Sequence, residues 1–204
     1  MSSTISKVLT LIIFAFTIMQ ITLAGDPDIL TDFIAPVGTT VDSTFFTFTG
    51  FRALLPPNTL PSTFKAFKAS KAEFPALDGQ SVSYAALVYP PGTINPPHTH
   101  PRSAELLFLA TGSLKVGFVD TTNKLFTQTL QAGDIFVFPK GLVHFQLNSD
   151  TQKPAFAFSA FGSANAGTVS LPSTLFNTSI DDNVLALAFK TNVATIQTLK
   201  KGLA

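Results

Sequence analysis

Gly92-Thr-Ile-Asn-Pro-Pro-His98-Thr-His100-Pro-Arg-Ser-Ala-Glu105, closing at Gly112, is followed by Gly133-Asp-Ile-Phe-Val-Phe-Pro139-Lys-Gly141-Leu-Val-His144, closing at Asn148. All three histidines of the chain lie in these two stretches. Side chains on a strand alternate between faces, so residues two apart point the same way. His98 and His100 can therefore grip one ion from a single strand. Pro101-Arg102-Ser103 reads as a turn, and Glu105 returns on the next strand. There Glu105, Leu107 and Leu109 share a face. A carboxylate aligned with two leucines points into a core, where a buried charge needs a partner such as a cation.

His144 alternates with Val143, Phe145 and Leu147, in register with Gln146 and Asn148. Three polar residues among β-formers suit either the wet face of an antiparallel sheet or a polar lumen beside a metal. The arrival of the His-x-His pair and Glu105 favours the lumen. Asn95, Gln146 and Asn148 are then candidates to hydrogen-bond a bound oxygen species or an outer water. Three neutral imidazoles and one carboxylate form an N/O ligand set without thiolate. On an octahedral ion they leave two positions open for water, dioxygen or a small anion, which suits Mn or Fe. Intrinsic affinity favours Cu, Ni or Zn over Mn, so the ligand set alone does not fix the metal.

Outward from these stretches, short β-rich runs recur at 82–89, 98–100, 105–110, 114–119, 125–130, 135–138, 143–147 and 155–161, separated by glycine and asparagine turn signals. This spacing predicts an antiparallel sandwich or barrel. Gly92, Gly112, Gly133 and Gly141 fit tight turns that need positive φ. Residues 26–80 read as an irregular arm with a few short strands, Phe-containing runs such as 43–50, and turns at Pro56-Pro57-Asn58 and Asp78-Gly79-Gln80. Near the C-terminus the period becomes helical. Ser179-Ile-Asp-Asp182 offers an N-cap, and a second helix runs from about Val193 to Lys200 and stops at Gly202, giving C-terminal helices over 179–202.

The 204 residues are 46% hydrophobic, with 21 Phe and only 12% charged residues, which excludes a disordered chain. The formal net charge is +1, and no basic patch for nucleic acid is visible. Residues 1–24 read as a cleavable secretory leader with Lys7, an apolar run and a small-residue end at Ala24. The run is short for a membrane span of about 20 apolar residues. Cleavage leaves one domain over 25–204 with its motif core at 82–161, and no membrane attachment. It removes Lys7 and no acid, leaving twelve bases against twelve acids. Cysteine is absent, so stability outside the cell must come from the core, a metal or subunit contacts.

The two stretches resemble the paired motifs of the cupins, and more narrowly of plant germin-like proteins. Gly92, His98, His100, Glu105 and Gly112 match the first motif, and Gly133, Pro139, Gly141, His144 and Asn148 match the second. Asp26-Pro-Asp-Ile-Leu-Thr-Asp-Phe33 is similar to a germin mature N-terminus, and 171–176 also fits. The resemblance implies an all-β double-stranded β-helix, a jelly-roll barrel with short C-terminal α-helices. It implies Mn held by His98, His100, Glu105 and His144 in a secreted glycoprotein of the apoplast and cell wall. It further implies a trimer of dimers clasped by the C-terminal helices. Asn177-Thr178-Ser179 is the sequon for glycosylation. The family's N-terminal disulfide positions fall at Ile34 and Ala53, so that staple is missing. Of two asparagines that hold substrate in germin oxalate oxidases, Asn95 matches one and Ala85 replaces the other. The implied activities are superoxide dismutation, with a possible place in defence, then a non-catalytic extracellular binding or nutrient-reservoir role, and oxalate oxidation least.

Overall fold

A computed structural model describes residues 26–54 and 60–203. The expected leader and the turn at Pro56-Pro57-Asn58 lie outside the described residues. Ten strands run β1 (Lys65–Ala69), β2 (Ser83–Tyr89), β3 (Ile94–Thr99), β4 (Glu105–Thr111), β5 (Ser113–Val119), β6 (Leu125–Gln131), β7 (Ile135–Phe138), β8 (Val143–Leu147), β9 (Ala155–Phe161) and β10 (Val169–Ser170). Three helices follow: α1 (Leu171–Phe176), α2 (Asp182–Ala188) and α3 (Val193–Leu203). The strands form two five-stranded antiparallel sheets, ordered β1-β2-β9-β4-β7 and β10-β3-β8-β5-β6. This is the jelly-roll barrel expected from the sequence.

The period-two pattern sets which side chains enter the barrel. On β4, Glu105, Leu107 and Leu109 are buried while Leu106 and Phe108 face out. Leu114 and Val116 enter from β5, Phe138 from β7, and Ala155 and Ala157 from β9, joining them in one apolar core. Burying such side chains stabilises by roughly 1.5–3 kcal/mol each. The glycine after β4 shows how the hairpin depends on a missing side chain. Gly112 has φ +84°, and a Cβ there would sit 2.7 Å from the Pro154 carbonyl oxygen and 2.9 Å from the Ala155 Cα. No larger residue fits without moving backbone.

The bounds of the C-terminal helices need correction, whereas the arm is irregular as expected. The run at 43–50 forms turns and irregular backbone, with Asp42 accepting from the Thr44 and Phe45 amides. Its rings pack edge to face, Phe46 against Phe33 and Phe45. At the other end Asp181 is the N-cap of α2, accepting from the Asn183 and Val184 amides. α3 continues through Gly202 to Leu203. A glycine inside a final turn is tolerated where the helix is already nucleated.

Candidate metal centre

The ligand-bearing elements meet from opposite sheets. His98 on β3 lies directly opposite His144 on β8, while Glu105 opens β4 in the other sheet. β3 reaches this register through a bulge. Asn95 pairs with Gln146 and His98 with His144, so two residues between them on β3 stand against one, Phe145, on β8. Pro96 and Pro97 fill the gap, since they have no amide proton to lose from the ladder. β3 ends at Thr99, so His100 stands one residue past the strand rather than on it.

One ring nitrogen of each histidine is held by a backbone carbonyl. His98 Nδ1 donates to the Pro96 oxygen at 2.8 Å, His144 Nδ1 to the Leu142 oxygen at 2.8 Å, and His100 Nδ1 to the Gly167 oxygen at 2.5 Å. A neutral imidazole so held presents a bare lone pair at Nε2. The Nε2 atoms of His100 and His144 lie 3.1 and 3.0 Å from Glu105 Oε2. One donor atom from each of His98, His100, Glu105 and His144 fits within a 4.8 Å span, and all four residues are buried. Lone pairs converging from three imidazoles and a carboxylate repel one another unless a cation sits among them. The donor set therefore fits a metal ion.

The surroundings keep this group dry and oriented. The Phe138 ring stacks on His144 at 4.5 Å, and Phe161 meets His100 edge-on at 4.8 Å. Glu105 Oε1 accepts from Ser159 Oγ at 2.6 Å and from Gln146 Nε2 at 3.4 Å. Asn95 Nδ2 donates to Gln146 Oε1 at 2.6 Å and lies 3.5 Å from His98 Nε2. Tyr89 OH also donates to Gln146 Oε1, at 3.3 Å. Burial pushes the His98 imidazole down to about 4, helped by the neighbouring His144. Burial pushes the Glu105 carboxyl up, yet the closeness of the His100 and His144 rings outweighs it and holds the carboxyl well below its usual range. Burial, then the charge of Glu105, raises the Tyr89 hydroxyl well above its ordinary value, so it keeps its proton.

Gln146 is fully buried, as is Asn148, so the polar face of β8 lines the lumen. The structure brings Asn95 and Gln146 to the ligand group but not Asn148. The Asn148 amide donates to the carbonyls of Tyr89, Pro90 and Lys153, clamping a loop away from the ligands. Sequence reasoning missed Ser159 and Tyr89. Both had a signal, since each is a polar side chain closing an inward row, Ala155-Ala157-Ser159 and Ser83-Ala85-Leu87-Tyr89. The Gly167 carbonyl had none. It is placed by Arg102, whose guanidinium donates to the Asn165 carbonyl and to Asn165 Oδ1, while Asn165 Oδ1 also accepts from the Gly167 amide. A side chain at Gly167 would strike that guanidinium at 2.7 Å. Asn177, the sequon residue, is exposed just after α1.

The cupin family model matches residues 51–197. Germin-like protein 9-3 of Oryza sativa subsp. japonica is 61% identical over 207 residues, covering 97% of this chain and 96% of the relative. The chain is a germin-like member of the cupin family. Nectarin-1 of Nicotiana plumbaginifolia is 39% identical over 213 residues, covering 98% of the chain and 93% of the relative. Among solved structures, an oxalate oxidase superposes on this germin-like chain with a TM-score of 0.76 and 30% identity, covering 88% of the chain and 98% of that structure. The fold, the family and the His/Glu group thus agree with the sequence-based expectation.

Proposed function

We propose that this germin-like protein is a manganese-binding, superoxide-dismutating protein of the plant apoplast. The observation that carries the reading is the convergence of three Nε2 lone pairs and one carboxylate within 4.8 Å. His98, His100, Glu105 and His144 would hold the ion. Manganese bound there supplies redox alternation between two oxidation states. The chain's own groups do the rest. The backbone carbonyls of Pro96, Leu142 and Gly167 fix the three imidazoles. Asn95 offers an amide proton to a small anion entering beside His98. Tyr89 and Gln146 keep a protonated, neutral hydrogen-bond chain behind Asn95. Two superoxide ions and two protons leave as dioxygen and hydrogen peroxide.

The leader-type N-terminus supports secretion. No helix among the described residues is long and apolar enough to cross a membrane. The exposure of Asn177 supports its glycosylation. The homo-oligomer, a trimer of dimers, has support in two apolar surfaces. Leu106, Phe108, Ile135 and Val137 are exposed on the outer face of β4 and β7, and Leu187 on α2 is 80% exposed.

Protein carrying stoichiometric manganese is expected to dismutate superoxide well above the same concentration of free manganese, and His98→Ala to abolish the gain. Activity no greater than that of free manganese overturns the reading. Oxalate oxidation is the second reading, favoured by Asn95 at the site and by the likeness to oxalate oxidase, and disfavoured by Ala85 in the cavity wall. Peroxide release on adding oxalate, against the His98→Ala control, separates the two. A metal-loaded protein that turns over neither, yet unfolds on chelation, has the binding or reservoir role.

A further inference from the structure

The three histidines are oriented by carbonyls of unlike origin. Pro96 and Leu142 each stand two residues before the histidine they hold, so those rings are fixed by their own stretch of backbone. His100 lies past the end of β3, and the Gly167 carbonyl that holds it is 67 residues away. Its orientation is therefore only as firm as the loop at 162–168, which crosses from β9 in one sheet to β10 in the other. Thr168 Oγ1, 3.5 Å from the same ring nitrogen, belongs to that loop as well.

The barrel holds the loop by its carbonyls. The Lys71 amide donates to the Ala164 oxygen at 2.9 Å, the Arg102 amide to the Ala166 oxygen at 3.2 Å, and Ser83 Oγ to the Ser163 oxygen at 2.7 Å. Two of the loop's donors go to the N-terminal arm instead. Ser163 Oγ donates to Asp26 Oδ1 at 2.7 Å, and the Ala164 amide donates to Asp26 Oδ2 at 2.6 Å. Ser163 and Ala164 are only 1% and 2% exposed, so losing the carboxylate strips two donors of their acceptor where water does not reach. The loop must then shift to hydrate them. A row of short links carries that shift onward. Ser163 Oγ accepts from the Asn165 amide, Asn165 Oδ1 accepts from the Gly167 amide, and the Gly167 carbonyl accepts from His100 Nδ1.

We infer that Asp26 is a positioning residue for the metal centre, acting through the 163–167 loop on His100 and on neither of the other two histidines. The inference rests on the metal reading above but not on dismutation. It gives the N-terminal arm a task, which is to set how firmly the barrel keeps its ion. A partner that orients a metal ligand carries about a ten- to hundredfold share of metal affinity, and one that acts through a further group carries less.

Chelator competition on the manganese-loaded protein tests it, with the paramagnetic resonance spectrum of the bound ion recorded on the same sample. Asp26→Ala is expected to weaken manganese binding roughly three- to tenfold and to broaden the spectrum. Asp26→Glu keeps both acceptor oxygens and should restore most of the affinity. Asp28→Ala removes the same charge from an exposed position nearby and should change nothing. Adding Asp26→Ala to Asn165→Ala should cost little more than Asn165→Ala alone, because both act along one row. Amide hydrogen exchange of the metal-free protein reads the loop itself. In Asp26→Ala the Ala164 and Gly167 amides should lose more protection than the Leu107 amide of the core, whereas a general loss of stability moves all three alike. Unchanged affinity, equal weakening by Asp28→Ala, a double variant in which the two losses multiply, or a Gly167 amide no more open than that of Leu107 overturns the inference and leaves the metal reading standing. Should Asp26→Ala fail to fold, Ser163→Ala breaks the same row from the loop side and is read in the same way. A protein that takes up no manganese refutes both.

Discussion

The barrel and the N-terminal arm are held together in different ways. In the barrel every strand from β2 to β9 is paired, and Leu107, Leu109, Leu114 and Phe138 are sealed from solvent. In the arm the large side chains are mostly half-buried or exposed, with Phe46 at 47%, and among the described residues no strand appears before β1. The arm is fastened at points. Asp26 accepts from Ser163 Oγ at 2.7 Å and from the Ala164 amide at 2.6 Å, and Ile29 and Ile34 close over Gly79. Without cysteines, these contacts stand where a covalent staple could have been. Core burial makes the barrel tolerant of a loose arm. The arm's anchor lies three residues from the carbonyl that orients His100, so the two regions are not independent.

The contrast is broken most directly in the core. Leu107→Ala is expected to destabilise by about 2–5 kcal/mol in chemical denaturation, whereas Phe46→Ala, which removes an exposed ring with two edge-on neighbours, should cost about 1 kcal/mol. Equal losses would show the arm to be as much part of the cooperative unit as the barrel.

Acid should find the barrel's polar floor next. In metal-free protein His98 has its folded value lowered from 6.5 to about 4. The unfolded chain then binds a proton that the folded chain refuses, so stability falls as pH drops from 6.5 toward 4. The integrated loss is about 3 kcal/mol. Glu105 is lowered as well, so its contribution is present above the ordinary carboxylate range and fades below it, in the same direction. Thermal melts across this window should fall steadily, and bound metal should be released over it. A flat profile would show the imidazoles to be solvated.

Gly112→Val combines positive φ with a clash against backbone, and should cost about 2 kcal/mol or more by the same denaturation assay. The smallest effects belong to the link between the regions. Asp26→Ala should lower global stability by about 1 kcal/mol while making residues before β1 markedly more open to protease. Asn165→Ala removes the side-chain acceptor shared by Arg102 and the Gly167 amide, leaving Arg102 only the backbone carbonyl. It should weaken manganese binding about tenfold, read by chelator competition, with little change in the melting of metal-free protein.

The barrel was legible because its rule is local. A residue at i+2 repeats the face of residue i whatever the rest of the chain does, so the inward rows of β4 and β8 and their metal-type side chains could be read directly. Helix ends were harder. The cap at Asp181 rather than Ser179 depends on which oxygen the first turn actually faces. Asn148 was misplaced for a related reason. Its face was right, but depth along the lumen is set by loop carbonyls that no spacing encodes.

What the sequence determined alone was the strand pattern, the ligand types and the glycine turns, all consequences of backbone periodicity and sterics. Tertiary structure alone decided that Glu105 would face His98 and His144 of the opposite sheet and His100 just past its strand, and that a carbonyl at Gly167 would turn the lone pair of His100 inward. The Glu105–His144 and His100–Gly167 contacts join residues 39 and 67 positions apart, and only the closing of two sheets over one core brings them within reach.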